Sequence, residues 1–126
     1  MPLAYTRDDR ARQITVVSSG VVTLADLVGI LDRQASEGTW AYRMLYDAQN
    51  ATFIPSPDDV RTLASRAQWL SDRHGPRGLV AVVTPQPSAF EMGTLYSNLS
   101  HDAHIRVRVF LNRSSAERWF SDMRSD

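Results

Sequence analysis

Asp47 closes the short apolar run Arg43-Met44-Leu45-Tyr46-Asp47, and a polar stretch from Ala48 to Pro55 separates it from Ser56-Pro57-Asp58-Asp59. A buried strand that runs out into a loop and then a helix would put Asp47 and Ser56 at the carboxyl edge of a sheet, where open α/β sheets bind ligands. Asp47 could orient a ligand or a partner's arginine there; a carboxylate that accepts loop amides is the competing reading. Ser56 could carry a phosphate, because a helix N-terminus offers unpaired amides and the positive end of the dipole. Asp58 and Asp59 would repel that charge, and a plain N-cap accounts for the serine.

His101-Asp102-Ala103-His104 brings two imidazoles and a carboxylate together. The segment follows a helix end and no third ligand is indicated, so a polar loop is expected and no metal is assigned. His74 beside Gly75 reads as a cation at a helix C-terminus. Arg106 and Arg108, with Arg113 nearby, lack interleaved stacking aromatics apart from Phe110, so they read as a solvated edge and not a nucleic-acid surface. Phe90, Met92 and Tyr96 form an apolar group that is either core or the wall of a small pocket. No Ser-His-Asp order, Gly-rich phosphate loop or catalytic carboxylate pair stands out, so no catalytic residue and no cofactor is assigned.

The chain that must position these groups has 126 residues, 43% of them apolar, which suits one domain over residues 1–126. Fourteen basic and fourteen acidic residues balance, and every basic residue is arginine. No net field favours nucleic acid or an anionic membrane. Cysteine is absent, which removes disulfides and thiol chemistry. No run of 18 apolar residues occurs, so no membrane insertion and a cytoplasmic location are expected.

Leu3–Arg7 and Arg12–Ser18 read as a hairpin across a charged turn, with Ser19-Gly20 marking a bulge or kink. Thr23 with Asp26 starts a helix whose stripe is Leu24, Leu27, Val28, Leu31 and Ala35, stopping near Gly38. After the strand at Arg43–Asp47, Ser56 caps a second helix with Pro57 at N1 and Val60, Leu63, Ala64, Ala67 and Leu70 as its buried stripe. Trp69 lies nearly opposite that stripe; with Arg66 and Arg73 near it, and Asp72 as a possible partner across a two-fold axis, it marks a possible homodimer face. Leu79–Val83 is a central parallel strand. Ser88 caps a third helix, Ile105–Leu111 is an edge strand alternating with arginine, and Ser114 with Glu117 boxes a fourth helix buried through Ala116, Trp119, Phe120 and Met123. The order β-β-α-β-α-β-α-β-α gives an α/β fold with a five-stranded mixed sheet.

The stretch from Ser19 to Asp26, the strand end Leu45-Tyr46-Asp47, and Arg108-Val109-Phe110 with Ala116-Glu117-Arg118-Trp119-Phe120 resemble the bacterial STAS-like group related to SpoIIAA anti-sigma factor antagonists. The resemblance spans nearly the whole chain and implies a noncatalytic regulatory module that binds a protein partner or itself. Antagonists of that group carry an Asp-Ser-Ser-Gly turn with a phosphorylated serine. The matching positions here are Pro55, Ser56, Pro57 and Asp58, so the phosphorylated position falls on Pro57. A SpoIIAA-like branch has been compared with lipid-binding CRAL-TRIO folds, which implies a small apolar ligand as the alternative, held near Phe90, Met92 and Tyr96. An enzyme ranks third.

Overall fold

A computed structural model of the chain describes residues 3–52 and 55–123. Phe53 and Ile54, inside the expected Ala48–Pro55 loop, lie outside the described residues. The elements are β1 (Leu3–Asp8), β2 (Gln13–Gly20), α1 (Leu24–Ser36), β3 (Arg43–Ala51), α2 (Pro57–His74), β4 (Val80–Val83), α3 (Pro87–Asp102), β5 (Val107–Phe110) and α4 (Arg113–Met123). The chain is a single α/β domain whose five strands lie in the order β1-β2-β3-β4-β5. The first pair is antiparallel, the rest parallel.

Right-handed crossovers between strands laid down in one direction place their helices on one side of the sheet. The packing follows that rule. Ile14, Val16, Met44, Val80 and Val107 bury one sheet face beneath Ile30, Leu31 and Ala35 of α1 and Ala67 and Leu70 of α2, with Tyr96 of α3 packed against them. The opposite face carries Leu45, Ala81, Val83 and Phe110, covered by Ala116, Trp119 and Phe120 of α4.

Local chemistry fixes the helix ends. The Thr23 hydroxyl accepts from the Asp26 amide, and the Asp26 carboxylate accepts from the Thr23 amide. Ser56 and Asp59 repeat that reciprocal box at α2, with Pro57 in the first turn. Two expected starts differ. Pro87 enters the first turn of α3, so Gln86 stands at the N-cap and Ser88 lies inside the helix. At α4 the Asn112 side chain accepts from the Ser115 amide, and Glu117 pairs with Arg113 instead of closing a box with Ser114.

The expected α1 stripe is rotated. Ile30 and Gln34 are buried beside Leu31 and Ala35, whereas Leu24, Leu27 and Val28 are half-buried. β3 is also longer than its apolar run: after a register shift between Val17 and Ser19, Ser19 and Gly20 pair with Asn50 and Ala51. Polar side chains hid this extension, because backbone pairing to β2 rather than an apolar run holds it.

Ser56→Ala should lose about 1 kcal/mol in urea unfolding while Ser56→Asp stays within a few tenths of wild type, since aspartate caps equally well. The reverse order would mean that added charge, not capping, governs this position.

Candidate functional site

Asp47 lies level with Val83 and Phe110, the last residues of β4 and β5, at the carboxyl ends of those strands. It sits within β3, paired with Val17 on one side and Val83 on the other, and is 7% exposed. Its side chain shares the face of Leu45, which is the face covered by α4, since alternate strand residues point the same way. Oδ1 accepts from the Gln49 amide at 3.1 Å and from Gln49 Nε2 at 3.1 Å, and Arg113 Nη1 approaches Oδ2 at 3.7 Å. Ser56 caps a helix whose buried residues Ala67 and Leu70 pack on the other face. The strand order never reverses among the parallel strands, so the crevice that a reversal opens does not form.

An apolar space lies instead between the three crossover helices and the sheet. A cavity of about 130 Å³ opens there. Met44 and Tyr46 of β3 and Val80 and Val82 of β4 supply its floor, Leu27 and Leu31 of α1 and Leu63 of α2 one wall, and Met92 and Tyr96 of α3 the other. α3 comes close to β5 because Gly93 has no side chain: a Cβ there would lie 2.8 Å from Val109 Cγ2. Met92 and Tyr96, two of the three residues expected at a pocket, line this space; Phe90 is half-buried on the same helix outside the lining.

The lining runs from Arg77, just before β4, to Thr84, just after it. At a strand's rise the residues from Val80 to Thr84 alone span about 13 Å. Burial holds the Tyr46 phenol above its usual pKa, opposed by a hydrogen bond with Ser18 and reinforced by the charge of Asp26. The phenol therefore stays neutral within the floor.

Arg77 is the polar residue that sequence reasoning missed. Its guanidinium stacks over the Trp40 ring, 4.7 Å from the centroid, and Nη1 donates to the Tyr96 hydroxyl at 3.1 Å. Nη2 donates to Gln34 Oε1 at 3.2 Å and touches Met44 Sδ at 3.7 Å. Trp40 is fixed in turn by donation from Nε1 to Ser71 Oγ. Gly78 lets the loop pass here, since a Cβ would run into the carbonyls of Ala41 and Tyr42. The available signal was Gln34, a polar residue at helical spacing within the apolar stripe of α1.

Trp69 is 44% exposed and lies between two guanidiniums, with Arg66 at 4.4 Å and Arg73 at 3.9 Å from its ring centroid. Arg66 also pairs with Asp32 of α1 at 2.8 Å. His101 lies in the last turn of α3 and His104 follows in a left-handed turn at φ 60°; among the described residues no group of three or more potential metal ligands assembles. Arg106, just before β5, and Arg108 on it are exposed, with Arg108 over the Phe110 and Trp119 rings. Among the described residues no helix is long and apolar enough to cross a membrane.

No protein-family model matches the chain, and no curated protein matches it.

The Asp47 carboxylate holds the backbone and side-chain amides of Gln49 in β3, so Asp47→Ala should cost about 1–3 kcal/mol in chemical denaturation, and Asp47→Asn, which keeps an acceptor oxygen, less than that. Full stability of Asp47→Ala would remove the structural assignment and return this carboxylate to the candidates for partner binding.

Proposed function

We propose that the protein is a noncatalytic binding module for a small, largely apolar ligand held between its helix layer and its sheet. The observation that carries this reading is the cavity, lined by side chains from α1, α2, α3, β3 and β4. Close packing normally leaves few internal voids larger than a water molecule, and a dry cavity of about 150 Å³ accepts a benzene ring. Among the described residues the lining carries no carboxylate or imidazole. It therefore offers shape and apolar surface rather than a general acid or base. The likeness to CRAL-TRIO folds that accompanies the STAS-like resemblance points the same way.

The test uses 1-hexanol as an uncharged probe. Adding it should shift the methyl resonances of Leu27, Leu31 and Leu63 in wild type. Val82→Phe, which fills the cavity floor, should abolish the shifts while the protein stays folded. Unmoved methyls in wild type at millimolar probe would contradict the reading.

A regulatory module that associates with itself, as the STAS-like resemblance implies, is the second reading, and the exposed Trp69 favours it. A large indole framed by two guanidiniums has the make-up of an interface centre, and a two-fold contact needs only this patch meeting its copy. Sedimentation over a concentration series should show a dimer that Trp69→Ala weakens by about 2 kcal/mol or more without unfolding the monomer. A wild type that stays monomeric at high micromolar concentration would limit Trp69 to intramolecular packing with Arg66 and Arg73.

A further inference from the structure

Arg77 brings a charge into a cavity that is otherwise apolar. The residue is 9% exposed, and its Nε has no hydrogen-bond partner. Two bonds to neutral oxygens, from Tyr96 and Gln34, and a long contact to the Met44 sulfur engage the two terminal nitrogens. Among the described residues no carboxylate lies within ion-pair distance of it. A guanidinium does not escape burial by losing its proton, as a lysine or histidine can. Burying it without an anion is costly, and the Trp40 ring offsets only part of that cost. The Tyr96 hydroxyl accepts from Nη1, and among the described residues no acceptor takes its own proton. Nε is closed off from that space, but Nη1 spends only one of its two protons on Tyr96, so its second proton and the Tyr96 proton are two donors on residues that line the cavity.

We infer that the cavity binds a small organic carboxylate, its anionic end paired with the Arg77 guanidinium and the Tyr96 hydroxyl and its hydrocarbon body lying along Val80, Val82 and Met92. This rests on the cavity reading above and adds the charge of the ligand to it. The arrangement supplies what a carboxylate needs on leaving water: a fixed cation, directed donors and surroundings of low dielectric that strengthen both. A body of roughly six carbons suits a cavity of this size. Hydrogen bonds to a charged group make the acid the stronger binder over an isosteric alcohol by roughly 10- to 100-fold.

The test is calorimetric titration of the full chain with sodium hexanoate and with 1-hexanol at neutral pH. Wild type should bind hexanoate at least about tenfold more tightly than 1-hexanol. Arg77→Gln should reduce that preference to within about twofold. Tyr96→Phe, which removes one hydroxyl from a half-buried ring, should lower hexanoate affinity by about threefold or more and narrow the preference for the acid, and it decides the matter should Arg77→Gln fail to fold. Equal binding of acid and alcohol by wild type overturns the carboxylate assignment and leaves the cavity reading standing. So does a preference that survives in Arg77→Gln, or a Tyr96→Phe variant with unchanged hexanoate affinity. Binding of neither compound overturns both.

Discussion

Because β2, β3, β4 and β5 lie side by side in chain order, all three crossover helices pack on one face of the sheet and, among the described residues, α4 covers the other. The two faces then meet different packing problems. One amphipathic helix with Trp119 and Phe120 stacked 5.6 Å apart suffices to close the α4 face over Leu45, Ala81 and Val83. On the other face three helices must fit over a twisted surface while also touching one another. α3 reaches the sheet closely at Gly93 and α1 is tied to α2 through Arg66 and Asp32. The space left between these anchor points is the cavity.

Arg77 gives that space its chemical character. Its neighbours come from the end of α1, the loop before β3, β3 itself and α3, through Gln34, Trp40, Met44 and Tyr96. Each contributes a neutral atom or a ring face, and none contributes a negative charge. A purely structural role would be filled with less desolvation by an apolar side chain of the same length, because replacing buried charge with packed hydrocarbon is often neutral or stabilising. Retained cost at a concave site is a common mark of function.

Much of the fold was legible in local chemistry. Thr23 with Asp26 and Ser56 with Pro57 announced two helix starts, since capping depends on neighbours within a single turn. The starts of α3 and α4 were displaced by two residues or fewer because proline and asparagine took the first places. The candidate site was harder to read. Asp47 and Ser56 were set together by analogy with sheets whose strand order reverses, and strand order is a long-range property that no local motif encodes. Met92 and Tyr96 were found because they share a helical face. Arg77 was not, since a loop arginine between Gly-Pro and Gly resembles any solvated turn until Trp40 and Gln34 are brought around it.

The side-chain Nε–H resonance of Arg77 tests this account most directly. Assigned by its loss in Arg77→Gln, it should exchange slowly with solvent in the ligand-free protein, since the group is buried, and should move downfield on saturation with hexanoate but not with 1-hexanol. A resonance that exchanges as fast as those of the surface arginines, or that hexanoate leaves in place, would contradict the claim that this guanidinium awaits an anion.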